Sequence, residues 1–230
     1  MTEARYTDGT YLAENPTWHA EDAPWKARQI AGMLHAHGLA PETVCDVGCG
    51  SGDLLTELRE HLPADARLTG YDVAPDAIDL ARARRPNGVS FHVGQPPSDT
   101  TFDLLLLVDV FEHVEDCFGF LRELRGLGRR EILHIPLDLS AQNVLRRRPL
   151  MNKRRKVGHL HYFTKDTALA TLEETGREIV DWSYTAHGLE LPPRSRRARV
   201  TRVTRRLLDR VSRDWTARAL GGYSLLVLTR

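Results

Sequence analysis

The order of strand-like and helix-like stretches predicts an α/β protein: a seven-stranded, mostly parallel sheet with helices on both faces and the last strand antiparallel. Three observations predict it. Val44-Cys45-Asp46-Val47 is a short apolar strand that runs into Gly48-x-Gly50-x-Gly52 and then into a helix. Phe102–Val108 is a near-continuous apolar run, the pattern of a central strand covered on both faces. Around these two, further apolar strands alternate with repeats at helical spacing.

Taken in order, residues 1–24 are polar and turn-rich, yet they carry Tyr11 and Trp18, with Trp25 just beyond. A solvated tail rarely holds such aromatics. The stretch is expected either to fold over the mouth of a binding crevice, bringing Trp18 and His19 to a substrate, or to pack outside the sheet. Pro24 suits a first helical turn, and Trp25, Ile30, Met33 and Leu34 recur at helical spacing up to Gly38. Residues 1–40 are thus read as a helical cap segment. His35 and His37 point apart on that helix and are not a metal pair.

The glycine-rich turn follows the first strand. Its glycines permit backbone conformations closed to other residues and let a ligand approach closely. The next helix, through Leu54, Leu55 and Leu58, directs free N–H groups at the turn. The second strand, Arg67–Asp72, ends in an acid, and a helix starts at Pro75. Strand three is Val89–Gly94, and strand four is the apolar run. Leu121, Leu124 and Leu127 mark a helix before strand five, Glu131–Pro136.

Residues 137–163 read as an insertion carrying Arg146-Arg147-Arg148 and Lys153-Arg154-Arg155-Lys156. Thr164 is a good N-cap for a helix that ends near Gly176. Strands six and seven are Glu178–Tyr184 and Tyr223–Leu228. Between them Val200, Val203, Leu207, Val211 and Trp215 form an apolar stripe, which predicts one arginine-rich helix docked on the body.

Composition bounds the rest. At 230 residues and 41% hydrophobic, the chain has material for one domain with a proper core. It shows no apolar run long enough to span a bilayer and no signal pattern. Cys45, Cys49 and Cys117 have neither zinc nor disulfide spacing, so a reducing cytoplasm is expected. Net charge is +1, but segregated: residues 1–136 hold 12 Lys/Arg against 22 Asp/Glu, the remainder 20 against 9. The basic second half suggests an anionic partner; the plainer alternative is two charged surfaces neutralising each other.

Asp46-Val47-Gly48-Cys49-Gly50-Ser51-Gly52 lacks the third glycine position of the dinucleotide fingerprint and the Gly-Lys-Ser/Thr of a P-loop. It closely resembles motif I of the class I S-adenosylmethionine (SAM) methyltransferases. Gly70-Tyr71-Asp72-Val73-Ala74-Pro75 resembles the segment that holds the SAM ribose in that family. Asp109-Val110-Phe111-Glu112-His113-Val114-Glu115-Asp116 resembles its D-V-[IL]-E-H-[VLI]-x-D segment. The resemblance covers roughly residues 41–230 and implies a Rossmann-like sheet. It also implies SAM as cofactor, with S-adenosylhomocysteine (SAH) as product. Asp46, Gly48, Cys49, Gly50, Asp53, Asp72, Val73, Gln95, Asp109 and Val110 are the implied cofactor contacts. Gln95 departs from the aspartate many relatives have there.

On the acceptor side the same resemblance places the end of the insertion, Gly158-His159-Leu160-His161-Tyr162-Phe163-Thr164, between a substrate lid and the next helix. His161 is the first candidate for a general base and His113 the second, though such histidines often only orient the turn. His159, Tyr162 and Arg146 are expected at the substrate. His159-x-His161 has no carboxylate at ligand spacing within its own segment, although a distant one could be recruited, and no metal site is expected. The implied reaction is methyl transfer to O, N or C of a small metabolite. RNA is the second choice of acceptor, and a non-catalytic SAM-binding regulator the rival reading. Oligomeric state is not readable from the chain.

Overall fold

The computed structural model describes residues 6, 15, 17–18, 20–84, 86–191 and 196–230, without side-chain detail at 188 and 196–201. Seven strands form one sheet: β1 Thr43–Val47, β2 Arg67–Asp72, β3 Val89–Val93, β4 Phe102–Val108, β5 Gly128–Pro136, β6 Ile179–Thr185 and β7 Ser224–Thr229. Their order is β3-β2-β1-β4-β5-β7-β6. Strands β1 to β5 pair in parallel, and β7 lies antiparallel to both β5 and β6. The predicted sheet, mostly parallel with its last strand reversed, is the one observed.

Helices cover both faces. On one face α1 (Ala23–Ala36), α2 (Asp53–Arg59) and α3 (Pro75–Ala83) place Ile30, Leu34, Leu55, Leu58 and Ile78 in a common core. On the other, α4 (Cys117–Leu124) and a helix at Lys165–Glu174 contribute Leu121, Leu124, Ala168 and Leu172. β4 serves both: Leu105 and Leu107 face one core, Leu104, Leu106 and Val108 the other. Side chains alternate along a strand, so a strand buried on both faces must be apolar throughout.

The insertion is not an open loop. It folds into two short helices, α5 (Ala141–Arg146) and α6 (Arg148–Asn152), and a π-helical turn over Lys153–Val157. Ser140 caps α5 by accepting the Asn143 N–H at 3.3 Å. The Lys165–Glu174 helix is α7, and Thr164 and Thr167 form its reciprocal capping box.

A short helix, α8 (His187–Glu190), precedes the arginine-rich region, where the structure corrects the sequence reading. The single helix expected there is two, α9 (Arg196–Val211) and α10 (Arg213–Leu220), broken at Ser212, whose hydroxyl accepts the Trp215 N–H. Apart from Val200, whose side chain lies outside the described residues, the apolar stripe does not dock on the body. Val203 and Leu207 are exposed, Val211 is 85% exposed and Trp215 72%. Arginines attach α9 instead: Arg202 donates to the Leu189 carbonyl and Arg205 to the Leu220 carbonyl. Both accepting carbonyls stand at helix C-terminal ends, where the last carbonyls lack intrahelical donors.

Among the described residues, no helix is long and apolar enough to cross a membrane. The carboxyl ends of β1, β2, β4 and β5 open into one cavity of about 960 Å³.

Candidate active site

The β1–α2 turn forms the floor of the cavity. Gly48 has φ +78° and Gly52 φ +76°. A Cβ on Gly48 would run into Val110, and one on Gly52 into Phe91. Glycine is therefore required at both by conformation and by space. The turn is tied to β2, because the Gly48 and Cys49 N–H groups both donate to the Tyr71 carbonyl, at 2.8 and 3.0 Å. Asp72 completes the tie: its carboxylate accepts the Gly50 N–H at 2.8 Å and the Ala74 N–H at 2.9 Å. Burial raises its pKa, with those backbone donors opposing the rise.

Asp46 lies beneath the turn, 2% exposed, and its Oδ1 has no hydrogen-bond partner. Burial, with the nearby Asp72 charge, pushes its carboxyl up to about 8, while Lys26 pulls the other way. A buried acceptor facing a cavity without a donor is a place for a ligand cation or N–H.

Asp109 sits at the end of β4 with φ +54°, a conformation rarely adopted by a non-glycine residue. Three contacts, from two residues, hold it there. Its N–H donates to the His134 carbonyl at 3.0 Å, one oxygen meets His134 Nδ1 at 2.6 Å, and the other pairs with Lys26 Nζ at 2.7 Å. Burial opposes its ionisation, but His134 and Lys26 hold the carboxyl well below the usual carboxylate range. Sequence reading missed Lys26 and His134. His134 carried a signal, since it lies at the carboxyl end of a central strand, where open α/β sheets bind ligands. Lys26 carried none beyond its helix.

Of the residues expected at the site, Trp18, Asp46, Gly48, Cys49, Gly50, Asp53, Asp72, Val73, Gln95, Asp109, Val110, His113 and His159 all line the cavity. Trp18 lies over the turn, its Cε3 about 3.5 Å from where a Cβ of Gly50 would stand. Tyr6 and Trp25 line the cavity too, so the described part of the first 40 residues contributes to its wall. His19 lies outside the described residues.

Three expected residues are not among those lining the cavity. His161 Nε2 donates to the carbonyls of Val114 and Glu115, at 2.9 and 3.2 Å, and so holds the 113–116 turn. The Tyr162 hydroxyl donates to the Leu150 carbonyl at 3.4 Å. Arg146 is exposed in the last turn of α5.

His113 and His159 meet edge to face, with ring centroids 4.8 Å apart. His159 Nδ1 bonds Asp138 at 2.6 Å, and Lys153 Nζ approaches the other Asp138 oxygen at 3.7 Å. Burial, with the neighbouring His159, pushes the His113 imidazole down to about 3, so it is neutral at physiological pH. Glu112 is 0% exposed.

The site agrees with what the chain is similar to. A family model described as "Methyltransferase domain" matches residues 26–181. Norajmaline N-methyltransferase of Rauvolfia serpentina is 31% identical over 43% of this chain and 36% of that protein. Nodulation protein S of Rhizobium tropici is 32% identical over 46% of each. These matches span less than half the length of either relative. Among solved structures, the N-methyltransferase NodS from Bradyrhizobium japonicum, in complex with SAH, superposes with a TM-score of 0.57 at 19% identity, covering 96% of this chain and 97% of that one. With its glycine turn, its sheet order and the match over residues 26–181, the chain belongs to the methyltransferase-domain family, within the class I fold of SAM-dependent enzymes.

Proposed function

We propose that this protein transfers a methyl group from SAM to an O, N or C atom of a small, anionic metabolite. One observation carries the reading: the unpartnered Asp46 oxygen and the Asp72 carboxylate stand on either side of a glycine turn in the same cavity. Asp46 fits the ammonium of a methionine moiety. Asp72 retains acceptor capacity beyond its two backbone bonds, enough for ribose hydroxyls. Val73 and Gln95 would flank the adenine, with Asp109 and Val110 beside the methionine and adenosine.

The bound sulfonium supplies an electrophilic methyl, so this chain's own work is alignment, exclusion of water and proton handling. Trp18, Tyr6 and Trp25 line the cavity and supply apolar surface that excludes water. Beyond Asp109, the cavity runs to His113, His159, Asp138 and Lys153, which we assign to the acceptor. Lys153 and Arg205 both line this cavity and favour an anionic acceptor. His161, engaged with two carbonyls, is assigned to positioning the turn and not to proton removal.

The test is transfer of a tritiated methyl from SAM, offered in parallel a metabolite extract, cellular RNA and no acceptor. Label in the small-molecule fraction is the expected result. Label in RNA alone would replace the acceptor class, and SAH binding with no transfer to either would favour a regulator.

A further inference from the structure

We propose that Glu112, His113 and His159 form a site for a divalent transition-metal ion at the acceptor end of the cavity. One ligand atom from each lies within 4.8 Å of the others. Atoms that share one ion at about 2.0–2.2 Å stand roughly 3–3.5 Å apart, so small rotamer adjustments close the set.

Glu112 is the first reason. Its side chain is fully buried, and neither carboxylate oxygen has a hydrogen-bond partner. Burying an ionised carboxylate alone is costly. A cation satisfies both oxygens.

The two imidazoles are the second reason. His159 Nδ1 is held by Asp138 at 2.6 Å, and His113 Nδ1 by the Tyr6 hydroxyl at 2.9 Å. Each ring is thereby oriented through one nitrogen with Nε2 as the remaining donor, the arrangement that metal-ligating histidines use. His113 Nε2 stands 4.0 Å from Glu112 Oε1. The Gly158 backbone also lies within hydrogen-bond reach of the His113 ring. Lys153, the nearby cation, approaches Asp138 at 3.7 Å, and its charge also reaches Glu112 and His113.

The backbone builds the third. The Leu160 and His161 N–H groups both donate to the Glu112 carbonyl, at 2.8 and 3.1 Å. That clamp draws the end of the insertion against the β4 loop and delivers His159 to a carboxylate 47 residues earlier in the chain.

Two imidazoles and one carboxylate select a borderline ion such as Mn²⁺, Fe²⁺, Co²⁺ or Zn²⁺ over Mg²⁺ or Ca²⁺. Three protein ligands leave coordination positions open, and His113 and His159 both line the cavity. On the methyltransferase reading, on which only this step rests, the acceptor carries a hydroxyl or carboxylate oxygen that binds the ion beside the methylated atom.

Untagged protein, stripped with chelator, is titrated with Co²⁺ alone and followed by calorimetry and visible d–d absorption. One equivalent with tetrahedral or five-coordinate bands is expected. Glu112→Gln and His159→Asn each weaken binding by more than about tenfold, and Asp138→Asn by roughly 10–100-fold. Circular dichroism and SAH calorimetry on the same samples report folding and the cofactor site. Wild-type protein that takes up no Co²⁺, or folded variants that bind it as tightly as wild type, overturns the site. If a variant fails to fold, the wild-type titration with Zn²⁺ competition still decides. SAH binding without Co²⁺ sinks the metal alone, whereas Co²⁺ binding without SAH sinks the methyltransferase reading.

Discussion

Asp46 is the group whose ionisation a bound cofactor should change most. In the free protein its carboxyl is pushed up to about 8 by burial, with Asp72 adding to the rise. An ammonium paired with the orphaned oxygen stabilises the anion, so the complex holds one proton fewer than the free protein. Affinity for SAH must then rise with pH for as long as free Asp46 is protonated. With a free-state value near 8, ionised Asp46 grows from about 1% at pH 6 to about half at pH 8. The dissociation constant should fall by roughly 50-fold, or ~2 kcal/mol, over that interval. Calorimetry near pH 7 in two buffers of different ionisation enthalpy should register release of about 0.9 proton. Asp46→Asn should bind SAH more weakly with a flat pH profile. The same shift governs folding in the opposite sense. The unfolded chain loses this proton near pH 4 and the folded chain near 8, so free-protein stability declines between those values as pH rises. A pH-independent SAH affinity in wild type, or a slope retained in Asp46→Asn, would refute the pairing.

Other outcomes follow from the same geometry. Asp72→Ala should weaken SAH binding by ~1.5–3 kcal/mol by calorimetry, and unchanged affinity would remove Asp72 from the ribose site. His161→Ala should lower the melting temperature by a few degrees and the rate by less than about tenfold; a loss of ~10²–10⁴ with the fold intact would make it the base after all. Lys153→Gln should raise KM for the acceptor while SAH affinity stays level, and a wild-type KM indifferent to salt would argue for a neutral acceptor. Arg177→Ala strands the buried Glu131, which Arg177 Nε meets at 2.5 Å, and should cost about 3–5 kcal/mol in chemical denaturation. A loss under 1 kcal/mol would show that water reaches the pair.

How much of this was legible in the chain depends on whether the signal was local. The glycine turn, the acid ending β2 and the apolar β4 are each written in a few adjacent residues, and backbone geometry leaves them one reading. The acceptor side is assembled from afar. Glu112 and His159 meet only because two N–H groups clamp the insertion to the Glu112 carbonyl. No spacing within either segment announces that meeting, so His161 was preferred to His159 as the general base. Lys26 likewise meets Asp109 from a distant part of the chain, with no local signal to announce it. In α9 the stripe was read correctly as a stripe but assigned to the wrong side. Periodicity shows that two faces differ, and long arginine side chains can bind inward as well as outward.

The place of β7 bears on how the chain is made. Residues 224–229 lie between β5 and β6, and β6 pairs with β7 alone among the described strands. On the ribosome β5 and β6 therefore emerge before the strand that joins them. Residues 186–223 separate β6 from β7, which at about 5–20 residues per second means roughly 2–8 s of synthesis. Through that interval the open edge of β5 and the whole of β6 offer unpaired backbone to any passing strand. Nascent chains stalled shortly before residue 224 should thus be the species most prone to aggregate and most in need of a chaperone, and emergence of residues 224–229 should close the sheet in a single step.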